Sequence, residues 1–184
     1  MNKRIYSEHL HDIYEPEERR RERHEILGFM HHLVIMSYNV QGPTRQELQE
    51  FKSYVRKLGT DEYWRYEFEQ IIVWGFFSAT DDIVNFVVNY LREKYEKEEP
   101  SVSLFTSLWS TSMVPMNVVK VMADRQEDGS YIIRPEFKQI LPLIKNDVKR
   151  QKQMAYERSK CSSLGYSETW SERFTAFSWL LNQC

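Results

Sequence analysis

The sequence predicts a mainly α fold: a compact bundle of about six or seven helices with one small β-hairpin near residues 118–133. Three observations predict it. Apolar side chains recur at helical spacing through most of the chain. Only 6 Gly and 6 Pro punctuate 184 residues, too few for a many-turned β protein. The chain also carries 5 Trp, 11 Tyr and 10 Phe, enough large rings to fill one aromatic core. Residues 1–15 lack periodicity and read as an N-terminal arm, leaving 16–184 as a single helical domain.

The elements follow in order. Pro16 opens the first helix, and Glu17 and Glu18 favour the positive end of its dipole. Ile26, Leu27, Phe29, Met30 and Leu33 to Met36 make this helix apolar almost all round, as for a buried central helix. Gln41-Gly42-Pro43 ends it. Thr44-x-x-Glu47 is a capping box, and Leu48, Phe51, Val55 and Leu58 form one stripe behind it. Gly59 is the expected left-handed stop, with Thr60 capping a third helix that places Trp64, Phe68, Ile71, Ile72 and Gly75 on one face.

Asp81 and Asp82 open a fourth helix, which buries Ile83, Val84, Val87, Val88, Leu91 and Tyr95 and stops before Pro100. Leu104, Phe105, Leu108 and Trp109 suggest a short helix. Val118–Met122 and Tyr131–Ile133 flank Asp128-Gly129 and read as hairpin arms, although Val114, Val118, Val121 and Met122 also fit a helix. Pro135 starts a helix through Phe137, Ile140, Leu141, Ile144 and Val148, which Pro142 kinks or restarts. Ser162 to Gly165 breaks it. Ser167 caps a last helix that docks by Trp170, Phe174, Phe177 and Leu181.

Charge is nearly balanced, at −2, which argues against a chain that coats nucleic acid along its whole length. The balance is uneven: residues 134–184 hold 9 basic against 5 acidic side chains, the remainder 16 against 22. Two cysteines, Cys161 and Cys184, make neither a disulfide framework nor a ligand pattern, so a reducing, cytoplasmic setting is expected. The N-terminus lacks the apolar core of a leader, and no apolar run is long enough to span a bilayer.

Chemical signatures are scarce. All five histidines, His9, His11, His24, His31 and His32, precede residue 33. His24 and His31 share a helix face but stand about 10 Å apart along it, too far to hold one ion directly. Glu67 and Glu69 point to different sides of a helix. Asp81 and Asp82 are explained by the helix dipole. The chain has no GxSxG elbow and no Gly-rich phosphate loop. Asp124 to Glu136 echoes a calcium loop, but neither register supplies both Gly at position 6 and an acid at position 12, so it reads as a turn. No cofactor or metal site is expected.

What remains is binding. Arg19, Arg20, Arg21 and Arg23 form one basic patch; Lys145, Lys149, Arg150 and Lys152 head another that runs to Lys160. Lys145, Lys149 and Lys152 share one face, suited to tracking phosphates, with Tyr156 and Trp170 as rings on which bases could stack. The bland explanation is a solvated helix face. The apolar and aromatic excess points instead to a protein partner or self-association, with Trp64, Trp74 and Trp109 as candidate anchors that serve equally well in a core.

The leading expectation is a non-enzymatic protein–protein interaction module in a regulatory, inhibitory or assembly role, of the kind a viral or phage regulator plays, alone or as an oligomer. The alternative is an RNA- or DNA-binding protein using 19–23 and 145–160. A third is a metal-dependent enzyme built on His24 and its acidic neighbours.

Overall fold

The computed structural model describes residues 15–37, 42–78, 80–111, 115–160 and 167–184. Among them are eight α-helices, two short 3-10 helices and one two-stranded antiparallel sheet, the mainly α fold with a small hairpin that the sequence predicts. The chain clusters into two compact units, residues 1–71 and 72–184. No helix among the described residues is long and apolar enough to cross a membrane.

The first unit holds α1 (Glu17–Ser37), α2 (Arg45–Gly59), a 3-10 helix at Glu62–Trp64 and the start of α3 (Arg65–Phe77). On α1, Ile26, Met30 and Leu33 are buried at i, i+4 and i+7, whereas Leu27 and Phe29 are only half-buried. The described part of α1 therefore buries a stripe rather than its whole circumference. Phe29 leans on Tyr54 of α2, with ring centroids 5.5 Å apart. Lys57 of α2 is ion-paired with Glu22 of α1.

The capping box forms as expected: the Glu47 amide donates to Thr44 Oγ1 at 3.2 Å, and the Thr44 amide donates to Glu47 Oε2 at 2.7 Å. The expected glycine stop does not. Gly59 is the last residue of α2, and Thr60 follows in right-handed conformation. Thr60 Oγ1 donates to the Lys57 carbonyl at 3.0 Å, so an orphan carbonyl is satisfied without a left-handed residue. Asp61, not Thr60, caps the next element, accepting from the Tyr63 amide at 2.9 Å.

The second unit holds the rest of α3, then α4 (Asp81–Tyr95), α5 (Val102–Thr111), α6 (Pro115–Met122), β1 (Ala123–Arg125), β2 (Tyr131–Ile133), a 3-10 helix at Pro135–Phe137, α7 (Leu141–Ser159) and α8 (Ser167–Gln183). All six apolar positions expected of α4 are buried, as are Leu104, Phe105, Leu108 and Trp109 of α5. Tyr95, Phe105 and Phe137 form a triangle of rings with centroids 5.2–6.0 Å apart. Fully burying one such side chain contributes about 1.5–3 kcal/mol.

The hairpin is present, but its first arm is misplaced in the sequence reading. Residues 118–122 belong to α6, and the strand is the next three residues, with Ala123 opposite Ile133 and Arg125 opposite Tyr131. Val118, Val119, Val121 and Met122 are all buried, which a strand with one wet face cannot arrange. Pro115 starts the helix where its missing N–H is harmless. This extra helix takes the count past the six or seven expected.

At the turn Gly129 adopts φ 83°, its amide donates to the Gln126 carbonyl, and the Ser130 amide donates to Asp128 Oδ1 at 2.8 Å. The hydrogen bonds from Ser130 hold the Asp128 carboxyl below its usual range.

Pro142 restarts the helix rather than kinking it: α7 begins at Leu141, after the separate 3-10 turn that Pro135 opens. The stripe on α8 is also rotated from expectation. Phe177 is buried, but its companions are Arg173, Ala176 and Leu180; Trp170, Phe174 and Leu181 lie half-buried on the flank. Ser162 to Gly165 and Val114 lie outside the described residues.

Candidate partner-binding groove

The most extensive helix pairing in the second unit is α7 against α8. On α7, Ile144, Val148 and Ala155 face inward and are wholly buried. Helical periodicity then places Lys145, Lys149, Lys152 and Tyr156 along the neighbouring edge, at i, i+4, i+7 and i+11. The two helices run antiparallel. The thiol of Cys184 lies 3.7 Å from the Leu141 carbonyl, Lys152 meets Phe174, and Arg158 meets Trp170.

Between the outer edges of α7 and α8 lies an open groove of about 830 Å³. Its floor is Phe174 and Leu181 from α8, and the exposed Tyr156 of α7 stands at its edge. Its rim is Lys145, Lys149, Arg150 and Lys152, with Asn146 and Gln153 as its neutral polar members. No residue lining it is acidic. Arg150 is balanced by Asp147 at 2.8 Å, whereas Lys145, Lys149 and Lys152 make no ion pair among the described residues.

Cations and rings interleave along the α7–α8 pair. The Lys152 ammonium lies 5.1 Å from the Phe174 centroid, and the Lys160 ammonium 4.0 Å from that of Tyr156. Tyr156 and Phe174 are 5.7 Å apart. Trp170 carries the guanidinium of Arg158 at 4.7 Å and that of Arg173 at 4.6 Å. Burial, reinforced by the charge of Arg158, lowers the pKa of Arg173. Such contacts contribute about 0.5–1 kcal/mol each where exposed.

The structure brings the second basic patch together and distributes the first. Arg23 donates to Glu15 at 2.9 Å and lies 3.9 Å from Glu67. Arg21 pairs with Glu17 at 2.5 Å, and Arg19 stacks over Tyr63 at 4.8 Å. Arg20 is exposed. Most of the positive charge at 19–23 is thus engaged by local partners.

Of the candidate tryptophans, Trp109 is fully buried against Phe177, with centroids 5.5 Å apart, and Trp64 is buried edge-on to Tyr63. Both belong to the interiors of their units. Trp74 is half-buried.

His24, His31 and His32 are exposed, while His9, His11 and Cys161 lie outside the described residues. Among the described residues no three His, Cys, Asp or Glu side chains gather as metal ligands would.

Sequence reasoning found the lysine row but missed Phe174 and Leu181 as the groove floor, because it assigned them to the buried stripe. The spacing of Ala176, Phe177 and Leu180 was the available signal: it defines an inward face one residue away from Trp170, Phe174 and Leu181. No family model, curated protein or solved structure matches the chain.

Proposed function

We propose that the chain is a non-enzymatic protein–protein interaction module, with a regulatory, inhibitory or assembly role, that engages its partner through the α7–α8 groove. The observation that carries this reading is an open groove with an apolar floor and a lysine rim containing no acidic side chain. Exposed apolar surface edged by charge is the usual form of a docking site. The test compares proteins captured from the native cell by the wild-type chain with those captured by L181E and K149E variants that retain the wild-type circular dichroism. Partners lost selectively from both variants support the reading; identical captures overturn it.

Nucleic-acid binding is the second reading, favoured by the Lys145, Lys149 and Lys152 row beside Tyr156, which is 41% exposed. It requires salt-sensitive binding to single-stranded RNA or DNA that K145E/K149E/K152E abolishes. Absence of binding at low salt removes it.

A further inference from the structure

Deepening the interaction-module reading, on which it rests, we infer that the occupant of the α7–α8 groove is an acidic amphipathic helix. Such a helix would carry apolar anchors at i, i+3 or i+4, and i+7, with Asp or Glu flanking them.

Two features select it. The first is length. Leu181 and Phe174 are separated along α8 by about 10 Å at 1.5 Å per residue. Residues i and i+7 of a second helix lying along the groove stand the same distance apart, so two anchors reach both ends of the floor. The rim from Lys145 to Tyr156 runs for about 16 Å, close to three helical turns.

The second feature is charge. Lys145, Lys149 and Lys152 project from one edge at successive turns and make no ion pair among the described residues. Carboxylates on the flank of an incoming helix would meet them at matching intervals, while neutral Asn146 and Gln153 add no opposing charge.

The cations already over these rings favour an aliphatic anchor over a stacking base. Phe174 already has the Lys152 ammonium over it, and Tyr156 has that of Lys160. A base stacking on the covered face of either ring would have to displace its cation, whereas an aliphatic anchor can rest on Leu181 and the ring edges without doing so.

The test is a displayed library of random peptides about 16 residues long, long enough for four helical turns, panned on the full chain. Clones that also bind K145E/K149E/K152E are discarded, and that variant is checked for wild-type circular dichroism. The inference expects survivors enriched in Asp and Glu, with Leu, Ile, Phe or Met at i, i+3 or i+4, and i+7. Their affinity should fall by about tenfold or more in L181E and weaken as salt rises from about 50 to 300 mM. Survivors that are neutral or basic, or that keep their affinity in L181E, overturn the inference. So does a library with no survivors, or a 20-mer oligothymidylate that binds the groove in preference to every peptide. These outcomes leave the interaction-module reading standing if cellular partners still depend on Leu181 and Lys149. Loss of that dependence defeats the broader reading instead.

Discussion

Arg134 and Glu96 meet at 2.6 Å although 38 residues separate them in the chain. The same guanidinium donates to Glu136 at 2.6 Å and approaches Asp124 at 3.5 Å, and Arg92 is also paired with Asp124. The end of α4, the hairpin and the entry to α7 are therefore tied through one side chain. Burial pulls the Arg134 pKa down, but hydrogen bonds to Glu136 and Glu96 outweigh it and hold the group above its usual range. A base raised in this way stabilises the fold below its unfolded value for as long as its partners carry charge, so its contribution does not vary around neutral pH.

Arg134→Ala is expected to lower stability in urea by about 1–2 kcal/mol. The loss stays below that of a fully buried pair because Glu96 and Asp124 are half-exposed and regain water. Arg134→Lys should recover only part of it, since one ammonium cannot reproduce the forked contacts. A loss of 4 kcal/mol or more (on the order of a broken buried ion pair), or none, would contradict this account.

The Thr44 capping box gives a pH-dependent signature. Hydrogen bonds from the Thr44 backbone and side chain lower the Glu47 pKa from 4.5. A carboxylate lowered on folding stabilises above its unfolded pKa, and that stabilisation disappears as pH falls through the folded value. Protection of the Thr44 amide against hydrogen exchange should therefore drop as the pH falls below 4.5. Glu47→Gln should flatten that dependence, and Thr44→Ala should destabilise by about 1 kcal/mol at neutral pH. The Glu47 share is small, because the carboxylate is solvated and screened.

Local signals of this kind explain which parts of the fold were legible beforehand. The Thr44 box and the α4 stripe from Ile83 to Tyr95 are written within a few residues, and the structure reproduces them. Residues 118–122 were misassigned because β-branched residues carry the same local preference for strand whether or not both faces are covered; only tertiary burial decides. The groove fell between these cases. Its lysine row is a one-helix pattern and was visible. Its floor depends on how far α8 is rotated against α7, which turns on Ala176 and buried Arg173 facing inward. The spacing of Ala176, Phe177 and Leu180 marks that face, but Arg173 on the same stripe breaks its apolar pattern.

Trp109 provides a test of the second unit's interior. Its ring is fully buried against Phe177, and its indole N–H is buried without a hydrogen-bond acceptor among the described residues. Trp109→Ala should destabilise by about 3–5 kcal/mol through the cavity it leaves. Trp109→Phe should be much milder, because removing a buried donor with no acceptor offsets part of the lost packing. Urea denaturation of the two variants checks the ordering, and equal losses would show that the N–H is satisfied in solution.

Cys184 reports on the end of α8 that lies beside Leu141. The residue is exposed, yet its thiol folds back onto the helix end, lying 3.4 Å from the Leu180 carbonyl and 3.7 Å from that of Leu141. Burial raises its pKa above 9.0, and the nearby Lys145 ammonium partly opposes the rise. Because the thiolate is the reactive form, Cys184 should react with iodoacetamide at pH 8 more slowly than a free thiol, and the rate should climb steeply above pH 9. Lys145→Gln removes the opposing charge and should slow the reaction further, while leaving global stability within about 0.5 kcal/mol, as for an exposed side chain. Peptide mapping by mass spectrometry separates Cys184 from Cys161. A rate unchanged by Lys145→Gln would mean that Lys145 stands away from the thiol in solution.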